Sequence, residues 1–336
     1  MTSSETRFDV LGIGNAIVDV LAHVDDAFLL KNDLVKGSMR LIDEAQAQAL
    51  YESLGPTVES SGGSAANTIA GLASFGCRTA FIGKVKADQL GEVFAHDIRA
   101  TGAHFDTPMA ADGPGTARCL VLVTPDGERT MNTWLGAAQN LGPDDIDEEL
   151  VKSSAIVYLE GYLWDPPAAK EAFLKAAQIA QAAGRKVALT LSDSFCVDRH
   201  RESFLDLIAN HVDILFANEA EIKSLYQVDN FNDAMHAARR DCGLAVLTRS
   251  AAGSVIALPD DVHVIEARPV EKLVDATGAG DLFAAGFLAG LSHGLSLPDS
   301  ARMGAMAAAE IIQQLGARAI RPFHEVAREN GFHLSV

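Results

Sequence analysis

The residues of this chain most able to do chemistry together lie in Asp275-Ala-Thr277-Gly278-Ala279-Gly280-Asp281, followed directly by Leu-Phe-Ala-Ala-Gly-Phe-Leu-Ala-Gly. Gly278 and Gly280 permit backbone conformations closed to other residues and leave room for a ligand against the main chain. The Ala- and Leu-rich run from Leu282 predicts a buried helix, which puts Asp281 on its first turn. Unpaired N–H groups and the positive end of the helix dipole make such a terminus a site for an anion. A carboxylate there can simply cap the helix. Beside a bound phosphate it can also be a general base that takes a proton from a hydroxyl. Two glycines and two aspartates within seven residues exceed what a cap requires, and phosphoryl transfer is the preferred reading.

Other stretches supply candidate ligand groups. Small residues in Ser60-Ser-Gly62-Gly63-Ser-Ala-Ala-Asn67 introduce a helix that runs to about Phe75. Asn67, about a turn in, would face the loop and could bind a polar ligand; close packing is the competing explanation of the small residues and suits Gly71. Residues 8–14 predict a buried strand. Gly12-Ile-Gly14 would need a third glycine at Ile17, so the dinucleotide fingerprint fails. Asn15 and Asp19, four apart after that strand, can project into a cleft or only close a turn. Asn218-Glu219-Ala-Glu221 fits a capping box, with a water-mediated metal contact from Glu221 as the functional alternative. Glu160-Gly-Tyr162-Leu-Trp164 and Ser192-Asp193-Ser194 fall at strand ends, where doubly wound sheets place ligands; Tyr162 and Trp164 are candidates to grip an apolar group or to belong to the core.

The elements that must hold these groups are mostly alternating strands and helices. Strands are predicted at 79–85, 155–159, 186–191, 214–217 and 244–248, with helices at 89–101, 167–183, 203–209, 219–225 and 232–240, which implies a mostly parallel sheet covered by helices. An Ala-rich helix over 298–314 should pack beside the Asp281 helix. Residues 102–135 read differently: a hairpin around Pro125-Asp-Gly127, which with strand pieces in 18–42 makes a small sheet able to cover a cleft. The arginines that 102–135 contributes to it are Arg118 and Arg129. The expected division is a core of 7–17, 43–101 and 136–333 and a lid of 18–42 and 102–135.

Composition narrows the partners. The 336 residues are 48% hydrophobic and 21% charged, enough for a large core in an ordinary soluble protein. A net charge of −18 disfavours nucleic acid and anionic membranes. Four scattered cysteines suggest neither a zinc site nor a disulfide framework, and a cytoplasmic setting is expected.

Taken together, Gly62-Gly63-Ser-Ala-Ala-Asn67, Asn218-x-x-Glu221 and Asp275-x-Thr277-Gly278-Ala279-Gly280-Asp281 resemble the signatures of the ribokinase-like (phosphofructokinase B) family of carbohydrate and nucleoside kinases, in the family's order and over nearly the whole chain. The resemblance implies a three-layer α/β/α domain with a β-sheet lid. It implies ATP and Mg²⁺ as requirements, with a monovalent cation such as K⁺ an open addition, and either a monomer or a homodimer. It makes Asp281 the base, Gly278–Gly280 with Ala279 the anion hole, and Glu221 the indirect Mg²⁺ holder. Asn218, Thr248, Thr277, Gly278 and Gly280 fall to ATP. Residues 14–19, 35–43 and 129–139 look like those of adenosine kinases. That likeness implies adenosine or a related nucleoside or sugar as substrate, with Asn15, Asp19, Gly62, Gly63, Asn67 and Tyr162 around it and Arg129 near the transferred phosphate. A non-catalytic binding regulator of the same fold is the alternative. The chain departs from the family's usual pattern at Arg249-Ser250, after Thr248, and at Lys84-Val-Lys86.

Overall fold

The computed structural model describes residues 6–334. Its strands, numbered along the chain, are β1 (Phe8–Ile13), β2 (Ile17–His23), β3 (Met39–Leu41), β4 (Val58–Gly62), β5 (Thr79–Ile82), β6 (Ala117–Val123), β7 (Arg129–Trp134), β8 (Ser154–Glu160), β9 (Lys186–Thr190), β10 (Ile214–Asn218), β11 (Leu244–Thr248), β12 (Ser254–Ala257) and β13 (Val262–Ile265). They form an eight-stranded sheet, β13-β12-β11-β10-β9-β8-β1-β5, and a five-stranded sheet, β3-β7-β6-β2-β4.

From β5 to β11 the large sheet is parallel; β12 and β13 continue it antiparallel. Its strands are apolar on both faces, as a sheet covered on both sides requires. Val10, Ile156, Tyr158 and Ala188 pack on one side with Ile69, Phe94, Phe287 and Met303 from helices. Their strand neighbours Leu11, Val157, Leu159 and Leu189 pack on the other side with Phe173, Phe204 and Ile222. This period-two division makes the domain three layers, α/β/α. The antiparallel β12–β13 pair was not foreseen, and the helix expected at 203–209 is the second half of a longer one, Ser194–His211, whose first turn Asp193 caps.

The helix Ala279–Ser292 is wedged between two others. A Cβ on Gly71 in the Ser64–Ser74 helix would meet Leu282 Cδ1 at 2.5 Å, and one on Gly286 would meet the Met303 carbonyl oxygen at 2.6 Å in the Leu297–Ile311 helix. Small residues bring three backbones together, which fixes where the first turn of the Asp281 helix sits.

The small sheet is mixed. The β6–β7 hairpin is antiparallel as expected, but β2 runs parallel to β6, and β3 parallel to β7. It also takes in β4, antiparallel to β2, although residues 43–101 were assigned wholly to the core. Val58-Glu-Ser-Ser-Gly62 carries no alternating apolar signal; backbone pairing with β2 defines it. The Glu44–Glu52 helix, closed by a capping box between Asp43 and Gln46, packs on β6 and β7.

Candidate active site

The carboxyl ends of β1, β8, β9, β10 and β11 open into a cavity of about 680 Å³ that the small sheet covers from the other side. This is where an open α/β sheet presents the groups that follow its strands. Asn15, Asp19, Asn67, Arg129, Tyr162, Asn218, Glu221, Thr248 and 277–281 all line it. Groups up to 266 positions apart in sequence, from Asn15 to Asp281, thus share one space.

Asp281 stands on the first turn of its helix, behind Gly278 at φ 78°. A side chain at Gly278 would also strike Ala317 Cβ at 2.5 Å, so both backbone and space demand glycine. Gly280, by contrast, faces open space, which leaves the helix N-terminus accessible to an anion. Ser64 Oγ donates to Asp281 Oδ1 at 2.6 Å and Asn67 Nδ2 donates to Oδ2 at 3.0 Å. Burial raises the pKa of this carboxyl; the bonds from Ser64 and Asn67 and the charge of Arg318 act against that rise. A fixed, desolvated carboxylate of raised basicity beside an anion-binding terminus has what a general base needs.

The Gly62-Gly63 pair is explained by what lies against it. Gly63 adopts φ 98°, and a Cβ there would meet the Asn15 carbonyl oxygen at 2.3 Å; one on Gly62 would meet the Asp19 carboxylate at 2.4 Å. The loop thus closes directly over Asn15 and Asp19. Asp19 enters the cavity from β2, with its pKa pushed up to about 6 by burial, opposed by Arg318 and Arg129 and assisted by the Asp281 charge. Asn67 bonds Asp281, not a group of β2.

Glu160, at the end of β8, is the buried partner of this group. Its Oε1 accepts from Asn15 Nδ2 at 2.7 Å and its Oε2 from the Ala65 N–H at 2.8 Å. Burial pushes its pKa from 4.5 to about 7 despite those bonds. Between those two values the unfolded chain releases this proton while the folded one keeps it, so the contribution of Glu160 to stability falls as pH rises and is lost above about 7. Glu160→Gln should therefore flatten the decline of melting temperature between pH 5 and pH 8. The amide can keep both bonds if Asn15 turns its unpartnered Oδ1 toward it. Thermal melts of both proteins across that range check this; parallel curves would refute it.

At the other end of the cavity, Asn218 and Glu221 form the capping box. The Asn218 N–H and side-chain amide both donate to the Glu221 carboxylate, at 2.8 and 2.5 Å, and the Glu221 N–H donates back to Asn218 Oδ1. Burial, with the charge of Asp193 nearby, raises Glu221 to about 7. Asp275 accepts from the Thr277 and Gly316 N–H groups at 2.9 and 2.8 Å and pairs with Arg129 of β7. Burial works against its ionisation, but these bonds and the guanidinium keep its pKa below the ordinary value. Arg129 is therefore tied to the first aspartate of the Asp275–Asp281 stretch.

Several singled-out residues lie elsewhere. Arg118 is directed away from the cavity, donating to Gln48 and lying over Tyr51 and Trp134. Trp164 is core: its indole donates to Ser203 and its ring stacks on Phe204. Arg249 pairs with Glu219 and covers Phe231, and Lys84 pairs with Asp145, so both departures from the usual family pattern are filled by structural contacts. Sequence reasoning gave no role to Ser64, Glu160 or Arg318. Glu160 opens one of the strand-end stretches that the sequence singles out, but its role as a buried acceptor did not show there; Arg318, in an irregular segment after the last long helix, carried no signal.

Comparison with known proteins fits this geometry. The model of the pfkB family of carbohydrate kinases matches residues 41–323. The chain belongs to that family. Among solved structures, the adenosine kinase of Sinorhizobium meliloti superposes with a TM-score of 0.90 at 50% identity, covering 97% of this chain and 100% of that one. A probable sugar kinase from Rhizobium etli CFN 42 matches with the same TM-score and identity, covering 97% and 99%. The adenosine kinase of Saccharomyces cerevisiae is 27% identical over 326 residues, 90% of this chain and 94% of its own length. The pfkB match makes this chain a kinase-family protein of the ribokinase-like fold, and the solved structure and curated relative relate it closely to adenosine kinases.

Proposed function

We propose that this pfkB-family protein phosphorylates the 5′-hydroxyl of adenosine with ATP and Mg²⁺. The observation that carries the substrate is the lining of the cavity. Asn15, Asn67 and Asp281 bring polar groups to the cavity from the large domain and Asp19 from β2, while the small sheet around Asp19 lines it with the apolar Ile17, Cys119, Val121 and Met131. A nucleoside suits both, ribose hydroxyls against the carboxylates and a flat base against the sheet. A free sugar would leave the apolar lining uncovered. The relatives named as adenosine kinases support the same choice.

In this reading Asp281 accepts the hydroxyl proton, and the N–H groups behind Gly278 receive the phosphoryl group's charge. Arg129 leaves Asp275 for the transferred phosphate as the small sheet closes. Positioning and charge neutralisation provide most of the rate enhancement. Closure excludes water that would otherwise consume ATP. Asn218, Thr248 and Thr277 line the cavity end assigned to the nucleotide.

The donor set fits Mg²⁺ bound largely through water. Among the described residues no three carboxylate, imidazole or thiol groups gather as direct ligands, and both Glu221 oxygens already accept from Asn218. Glu221, with Asp193 near, would hold waters of the ion, whose chemistry there is neutralisation of phosphate charge. Glu221→Gln is expected to raise the Mg²⁺ concentration for half-maximal rate several-fold, with a stability loss of only about 1 kcal/mol from the weakened capping box. A lowered melting temperature with an unchanged Mg²⁺ titration would leave Glu221 a helix cap only.

The test of the substrate is ADP release with adenosine, 2′-deoxyadenosine, guanosine, inosine, ribose and fructose 6-phosphate at equal concentration. Adenosine should give the highest kcat/KM. A preference for ribose or fructose 6-phosphate would overturn the nucleoside assignment.

A further inference from the structure

The loop that holds Asp281 is itself held by Arg318. This side chain follows the Leu297–Ile311 helix and crosses to the Gly62-Gly63 loop. Its Nε and Nη2 donate to the Ser61 carbonyl at 3.2 and 2.9 Å, Nη2 also to Ser61 Oγ at 3.0 Å, and Nη1 to the Ala66 carbonyl at 2.9 Å. Ser61 is the last residue but one of β4 and Ala66 lies in the first turn of the next helix, so one rigid guanidinium brackets both sides of the glycine pair. Between the two anchors is Ser64, and just beyond them Asn67: the two side chains that donate to Asp281.

The bracket is also a charge. Asp19, Asp281 and Asp97 all lie within electrostatic reach of Arg318, and burial lowers its own pKa to about 10 in spite of them. Asp97 accepts from the Ser61 N–H at 3.0 Å and so faces the same loop. Asp281 is also coupled to Glu160, Tyr158 and Tyr162, and every one of these can only add negative charge. Arg129 acts on Asp19 but is bound to Asp275. Arg318 acts on both Asp19 and Asp281.

We propose that Arg318 is a positioning residue for phosphoryl transfer: it clamps the Gly62-Gly63 loop that orients Asp281, and its charge offsets the neighbouring carboxylates of Asp19 and Asp281. The catalytic half of this statement rests on Asp281 as the base; the electrostatic half does not.

Arg318→Met and Arg318→Lys in the full-length protein separate the two. With whichever acceptor the wild type phosphorylates best, Arg318→Met should lower kcat by at least about 10-fold at pH 7 and move the acidic limb of the kcat–pH profile upward, because Asp281 then holds its proton to higher pH. Arg318→Lys keeps the charge and loses the fork, and should restore the limb with kcat still reduced. Melting temperatures require no substrate. The loss caused by Arg318→Met should be greater at pH 8.5 than at pH 5.5, where Asp19, with its pKa near 6, is largely protonated and needs the cation less. Adding Asp19→Asn or Asp281→Asn should recover part of that loss, even if Arg318→Met alone does not fold. An equal loss at both pH values, with no recovery in the double variants, would reduce Arg318 to a structural bracket. If the wild type phosphorylates none of the acceptors, the kinase reading fails while the melting comparison still decides the role of Arg318.

Discussion

Asp281→Asn is expected to lower kcat by about 100-fold or more while the dissociation constant for adenosine stays within a few-fold of wild type. The substitution is nearly isosteric. Ser64 and Asn67 can both remain bonded, because a serine hydroxyl can reverse from donor to acceptor while the asparagine carbonyl still receives the Asn67 amide. No capping bond is lost, because the Asp281 side chain makes none to its own helix. What disappears is the proton acceptor, and burial has already raised its basicity toward the range useful in catalysis. Single-turnover kinetics with an independent binding measurement separates the two effects. Near-normal turnover would return Asp281 to the role of a helix-terminal carboxylate.

The second large effect is expected at Asp19. A ribose hydroxyl donating to this buried carboxylate would contribute on the order of 1.5–3 kcal/mol. Asp19→Ala should therefore cut kcat/KM for adenosine by roughly 10- to 150-fold and flatten the preference for adenosine over 2′-deoxyadenosine. The same carboxylate gives a pH dependence. With its pKa near 6, protonation removes an acceptor of the hydroxyl, so KM for adenosine should rise as pH falls through about 6. Asp19→Ala should abolish that rise. A variant with undiminished discrimination between the two nucleosides would place the ribose elsewhere.

The site was legible where a residue type and its spacing had a local cause. Gly278 at φ 78° and Asp281 one turn into the helix follow from a glycine-rich run opening into an apolar one. The Asn218–Glu221 pair is a capping box in sequence and in structure alike. The alternation of strands such as β8 and β9 with helices declared a mostly parallel sheet covered by helices. What stayed hidden depends on contacts far apart in the chain. Nothing in Val58-Glu-Ser-Ser-Gly62 announces a strand until β2 is laid beside it. Glu160 needs Asn15, 145 positions away, to become a buried acceptor, and Arg318 needs Ser61, 257 positions away, to become a clamp. Trp164 sat beside a strand end like a ligand-gripping aromatic, yet Phe173 and Phe204 enclose it.

The central claim is transfer of a phosphoryl group to the 5′-hydroxyl of adenosine, and the direct measurement is identification of the product by ³¹P NMR and mass spectrometry. With ATP, Mg²⁺ and adenosine, the wild type should form 5′-AMP and ADP in equal amounts, and Asp281→Asn should form neither at an appreciable rate. ADP accumulating without AMP, or a faster transfer to ribose or a sugar phosphate than to adenosine, would contradict it.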